Sequence, residues 1–234
     1  MFNDVFSEKA LEFAAKVIQK EFAGAVWDTL YVTILSTLFA ILIGLPLGIL
    51  LVTGDKKGIR PIPSVFLLII NGIINLLRSV PFLILMILVI PVTRAIVGTS
   101  IGTKATVVPL VFAAFPFTAR LVESSLREVN PNIIEMAQSM GASPFKIVTK
   151  VLIPESVPSL ISNGTIAFTT VLGYSAMSGI LGGGGLGKIA INYGYYRYQT
   201  LIMIFAVILL IIIVQVFQTI GTQATIRSDR RIKK

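Results

Sequence analysis

Residues 135–154 read EMAQSMGASPFKIVTKVLIP, a polar-containing stretch set between long apolar runs. Ile133, Ile134, Met136, Ala137 and Met140 fall on one side of a helical wheel, with Glu135, Gln138 and Ser139 elsewhere. Asn130 suits the N-cap, and Pro131 the first helical position. Gly141 is a natural stop, and Ser143-Pro144 prevents a smooth continuation. The expectation is a short helix over about 131–142, a glycine break, a second helical start, and Pro154 at the head of an apolar run.

The flanking composition says what surrounds this helix. Of 234 residues, 55% are hydrophobic and only 13% charged, where soluble domains carry about 25% charged residues. With several long apolar runs, that indicates an integral membrane protein. The net charge of +9 sits beside apolar runs, which fits a membrane orientation signal and anionic lipid better than nucleic acid. The chain has no Cys and no His, so thiol chemistry, disulfides and imidazole metal sites are excluded. Asp4, Asp28, Asp55 and Asp229 lie away from span centres, which argues against an intramembrane aspartyl protease.

Five spans are expected: about 25–52, 64–90, 106–126, 154–180 and 200–222. Ahead of them, residues 1–24 read as an interfacial amphipathic helix, with Phe6, Ala10, Phe13, Ala14, Val17 and Ile18 at helical spacing. A five-helix transmembrane domain over 25–226 and a basic tail over 227–234 complete the organisation. Gly44, Pro46 and Gly48 in the first span permit close packing or a bend. Residues 91–105 read as a loop. The segments 53–60, 127–150 and 222–234 hold eleven Lys and Arg, against seven in 1–26, 91–105 and 181–199. The first set is therefore expected in the cytoplasm, with the N-terminus outside.

Several intramembrane polar groups are candidates for a translocation path or gate: Arg78, Ser79, Asn163, Tyr174, Ser175 and Met177. Arg78 stands out, because an Arg at a span centre costs at least about 2.5 kcal/mol on insertion scales and should face protein or water. Structural use by helix carbonyls is the alternative. Arg120 and Glu123, three apart, can pair. Residues 182–188, GGGGLGK, match GxxxxGK in form only. Ile189 replaces the Ser/Thr that would hold magnesium, and no soluble strand precedes it. A glycine hinge or re-entrant turn is expected there, followed by an interfacial belt of Tyr193, Tyr195, Tyr196 and Tyr198.

Glu135, Ala137, Gly141 and Val151-Leu152-Ile153-Pro154 resemble the EAA signature, EAA-x3-G-x9-I-x-L-P, of ABC-type importer permeases, with Met136 and Val151 departing from it. Arg78-Ser79-Val80-Pro81-Phe82, Ile96–Gly102, Gly173–Met177 and Tyr193-Gly194-Tyr195 extend the resemblance, over roughly residues 25–225, to the methionine-importer permease family. That resemblance implies an all-α five-helix bundle with a cytoplasmic coupling helix between the third and fourth spans. It implies a second copy of the chain, a cytoplasmic ATPase dimer and an extracytoplasmic substrate-binding lipoprotein, in a bacterial inner membrane. The chain itself would bind no cofactor and hydrolyse nothing; ATP and magnesium would sit on the ATPase. The coupling residues would be Glu135, Met136, Ala137, Gly141, Ala142, Val151, Ile153 and Pro154. A permease for polar amino acids or another small solute is the nearest alternative. An ATP-independent carrier or channel is a more distant one, since the spans lack the acidic residues and inverted repeats common in ion-coupled carriers.

Overall fold

The computed structural model describes residues 8–229, apart from the Lys9 side chain. Phe6 and the tail residues Arg230, Arg231, Lys233 and Lys234 lie outside them. The helices are α1 (Glu8–Val17), α2 (Ala23–Thr53), α3 (Ser64–Ser79), α4 (Phe82–Leu88), α5 (Ile90–Val97), α6 (Thr103–Arg127), α7 (Pro131–Ser139), α8 (Pro144–Ile147), α9 (Ile153–Ser178), α10 (Leu186–Ile189) and α11 (Thr200–Ser228). No strand occurs among the described residues. Among the described residues, four continuous helical stretches are long and apolar enough to cross a membrane: Ala10–Thr53, Thr103–Arg127, Pro144–Leu181 and Thr200–Ser228. The broken pair α3 and α4 makes a fifth when the two are taken as one span.

Four expectations need correction. The N-terminal helix is not an element apart. A π-helical turn, Ile18–Phe22, joins α1 to α2 without a stop. Part of its apolar face is covered by protein, since Ala14 and Val17 are buried with Leu186, Ile189 and Ile202, while Phe13 stays 40% exposed. The second span is not one helix over 64–90: Pro81 has no N–H for an α-helical bond, and α3 ends at Ser79. Residues 91–105 are not all loop, because α5 runs to Val97 and ends on Gly98 at φ 82°. The fourth span starts ten residues before Pro154, at Pro144, through a π-helical turn Val148–Leu152.

The chain divides into two compact units, each assembled from three stretches. In the unit of residues 8–37, 81–112 and 168–217, the core is Phe22, Ala25, Leu186, Ile189, Leu201, Ile202 and Ala206, with Ala14 and Val17 against it. The glycine run is a tightly held turn here. The Gly102 N–H donates to the Gly182 carbonyl at 3.0 Å, and the Leu186 N–H donates to Thr29 Oγ1 at 2.8 Å.

In the unit of residues 38–80, 113–167 and 218–229, one core cluster joins Val122, Leu126, Val129 and Leu152, and another Leu51, Ile74 and Ala119. Gly44 and Gly48 of α2 lie against Thr118 and Val122 of α6. A Cβ at either glycine would come within 3 Å of those side chains. Small residues four apart let two helix backbones approach this closely in lipid.

Candidate functional site

The short helix α7 is built as its sequence suggests. Asn130 Oδ1 accepts the Asn132 N–H at 3.0 Å, and Pro131 opens the first turn. At the other end the Gly141 N–H reaches the Gln138 carbonyl at 2.9 Å, and the Ala142 N–H the Ala137 carbonyl at 3.0 Å. Gly141 has φ 75°. That is a Schellman closure, in which a left-handed residue lets the last carbonyls find partners. Ser143 Oγ then accepts the Lys146 N–H at 3.4 Å and starts α8.

The apolar side of α7 divides between two uses. Ile134 packs on the cluster of Val122, Leu126, Val129 and Leu152, and Ala137 is buried. These two anchor the helix to its own unit. Met136 is 59% exposed, Met140 81% and Phe145 of α8 77%. Three large apolar side chains thus project from one short helix–turn–helix with no cover from this chain. Glu135 is exposed nearby, Ala142 half-buried. The tail of the signature faces the other way. Leu152 is fully buried, Val151 and Ile153 are half-buried, and Pro154 is exposed. Val151 and Ile153 flank the anchor that fixes α8 and α9 to the bundle.

The candidate path residues are divided between the two units. Asn163 Nδ2 donates to the Leu121 carbonyl at 3.1 Å and to Ser125 Oγ at 2.8 Å, tying α9 to α6. Ser79 Oγ donates to the Asn75 carbonyl at 2.8 Å within its own helix. Arg78 is exposed and makes no hydrogen bond or ion pair among the described residues. In the other unit, Tyr174 stacks on Phe82 with ring centroids 4.7 Å apart and planes 6° from parallel. Ser175 is buried, its Oγ donating to the Leu172 carbonyl at 2.8 Å. Met177 is 41% exposed.

The sequence reading missed a polar network that joins α3 to α6. Arg120 donates to Glu123 Oε2 at 2.7 Å, the pairing its spacing allowed, and also to Asn71 Oδ1 at 2.7 Å and Asn75 Oδ1 at 3.0 Å. Glu123 Oε1 accepts Arg127 Nε at 3.0 Å, and Arg127 Nη2 reaches Asp55 Oδ2 at 3.1 Å. Two asparagines four apart in α3 face a helix with charges at 120, 123 and 127. That spacing was the available signal. The Arg127 hydrogen bond, helped by the Lys56 N–H, holds the Asp55 carboxyl below the usual carboxylate range.

Comparison with known proteins brings the same features together. A family model described as binding-protein-dependent transport system inner membrane component matches residues 44–227. The probable D-methionine transport system permease protein of Vibrio cholerae serotype O1 is 47% identical over 210 residues, covering 88% of this chain and 92% of the relative. Its counterpart in Pasteurella multocida is 45% identical over 207 residues, covering 87% and 94%. Among solved structures, a chain of the inward-facing MetNI methionine ABC transporter superposes with a TM-score of 0.88 at 42% identity, covering 91% of this chain and 98% of that one. An amino acid ABC transporter solved with histidines shares the fold at a TM-score of 0.73 and 19% identity, covering 88% and 93%.

Proposed function

The chain belongs to the binding-protein-dependent transport system inner membrane components, and from that membership we infer that it is the permease subunit of an ATP-driven importer for methionine. The observation that carries the mechanism is the divided face of α7. Ile134 and Ala137 fix the helix to the bundle, while Met136, Met140 and Phe145 wait uncovered. Burying an apolar side chain of this size contributes about 1.5–3 kcal/mol. A cleft on a partner that covers all three gains enough to hold the helix while it is pushed.

The mechanism follows from what the chain lacks and what it offers. Nucleotide chemistry belongs to a separate cytoplasmic ATPase dimer, which carries ATP and magnesium. Closure of that dimer moves α7, and the anchored Leu152 turns the motion into a rigid displacement of α9. The left-handed Gly141 lets the chain reverse direction at the end of the lever. A second copy of the chain supplies the opposite wall of the path, and a substrate-binding lipoprotein delivers methionine from outside. The excess of Lys and Arg around 53–60, 127–150 and 222–234 supports a cytoplasmic α7 and an outer N-terminus. Arg78 is the candidate polar wall of the path, because a guanidinium without a pair among the described residues needs water or a partner.

The test is recovery of tagged chain from native membranes in mild detergent, followed by uptake of labelled methionine in reconstituted vesicles. An ATPase is expected to co-purify, and uptake is expected to need ATP inside the compartment carrying α7. Uptake by the chain alone without nucleotide would overturn the reading. Competition by other amino acids at equal concentration, with methionine excluded, would overturn the substrate.

A further inference from the structure

A second polar feature lies far along the sequence from α7 and takes no part in that mechanism. A cavity of about 270 Å³ opens between one face of the N-terminal helical stretch and the segment that follows the glycine turn. The first wall presents Glu21, Gly24, Ala25 and Asp28, which share a helix face at spacings of three, four and seven. The second presents Lys188 and Asn192, four apart, with Tyr193 beside them. Gly183, Gly184 and Gly185 add backbone without side chains.

The charges across this cavity are not spent on each other. Glu21 Oε1 accepts the Tyr193 hydroxyl at 2.7 Å and Asp28 Oδ2 the Thr103 hydroxyl at 2.9 Å, which leaves one oxygen of each carboxylate open. Lys188 and Asn192 make no side-chain hydrogen bond or ion pair among the described residues. Arg197 lies over the Tyr193 ring, 4.9 Å from its centroid. An acid wall and a lysine wall therefore face one cavity without closing on one another.

Gly24 supplies an independent observation. A glycine inside a helix costs about 1 kcal/mol against alanine, and close packing usually explains one. Here a Cβ would meet nothing within 4 Å. No neighbour needs the glycine, and its missing side chain leaves the cavity open.

We propose that this cavity binds a small zwitterion that carries a primary ammonium and an anionic group. The ammonium sits between the open oxygens of Glu21 and Asp28, and the anion takes the Lys188 ammonium and the Asn192 amide. An α-amino acid and a phosphoethanolamine headgroup share this chemistry. The first would reach the site as delivered solute, the second as membrane lipid.

The test uses the whole transporter in phosphatidylcholine nanodiscs, read by thermal unfolding of this chain. L-methionine and O-phosphoethanolamine are added as soluble probes, and phosphatidylethanolamine is introduced into separate discs. A saturating ligand raises the unfolding temperature by a few degrees. Gly24→Leu, which fills the cavity, and Lys188→Glu, which removes its cation, are expected to abolish the shift. Tyr195→Ala, on the same segment outside the cavity, is expected to keep it. A shift with a soluble probe assigns the site to a solute, and a shift confined to phosphatidylethanolamine discs assigns it to lipid. No shift with any probe, or a shift that survives both cavity substitutions, overturns the proposal. The L-methionine arm rests on the import reading and the other two do not, so failure of one idea is distinguishable from failure of the other.

Discussion

Arg120 of α6 donates through one guanidinium nitrogen to Asn71 of α3 at 2.7 Å, across 49 positions of sequence. The same guanidinium holds Glu123, whose side chain is only 13% exposed and which in turn holds Arg127. An intramembrane arginine is costly unless paired, and this one is satisfied on three sides. Its removal leaves Glu123 Oε2 and two asparagine carbonyls without their donor.

Arg120→Ala is therefore expected to destabilise the chain by about 2 kcal/mol, the range for losing hydrogen bonds to a charged group. Arg120→Lys should recover only part, since an ammonium cannot present the planar fork that spans Asn71 and Glu123. Thermal unfolding in detergent reads both. Loss of less than about 0.5 kcal/mol in the alanine variant would show that the network contributes nothing.

Arg78→Gln should behave in the opposite way. Arg78 has no partner among the described residues, so unfolding should stay within about 0.5 kcal/mol of wild type. Uptake should fall if the guanidinium lines the path. Equal uptake and equal stability would remove Arg78 from the mechanism.

Along α7, neighbouring apolar residues should divide by role. Met140→Asp changes an exposed side chain, so the folded chain should persist while ATPase recovery falls at least about tenfold, the equivalent of 1.4 kcal/mol. Ile134→Asp places a carboxylate against Val122, Leu126 and Leu152 and should prevent stable folding. Quantitative co-purification and the monodisperse yield of each variant separate the two effects.

At Gly141, any L-residue must take up φ 75°. Gly141→Val should cost about 1–2 kcal/mol, and Gly141→Asp less, because Asp tolerates this region better. Gly141→Asp and Glu135→Arg are both expected to leave the chain inserted while transport per ATP hydrolysed declines. Unchanged uptake with wild-type ATPase recovery would remove both from the coupling route.

The Asp55–Arg127 pair gives a pH dependence. The folded-state carboxyl lies below its ordinary value of 3.8, so the pair stabilises above that value and the benefit is lost as pH falls through the folded value. Both side chains are nearly half exposed, so the effect is below about 1 kcal/mol. Asp55→Asn should lower the unfolding temperature slightly at neutral pH. As pH falls below 3.8 the difference should shrink, because protonation then favours the unfolded chain.

The caps of α7 were legible in the sequence because capping is local. Asn130, Pro131 and Gly141 act on backbone groups within a few residues of themselves. The long apolar runs 25–52, 106–126 and 200–222 were legible because hydropathy alone decides what partitions into lipid. The break at Ser79–Pro81 was harder to place. Pro46 and Pro158 sit inside continuous helices, so proline in a membrane helix does not by itself say whether the helix stops.

The sequence by itself determined that this is a helical membrane protein with a capped short helix before its fourth span, because composition, periodicity and capping are written in neighbouring residues. Only the tertiary structure decided that Ile134 and Ala137 turn inward while Met136 and Met140 stay free, that Asn71 and Asn75 serve Arg120, and that Glu21 and Asp28 face Lys188 across a cavity. A helical repeat says which residues share a face. It is silent on what packs against that face, which depends on contacts made tens to more than a hundred residues away.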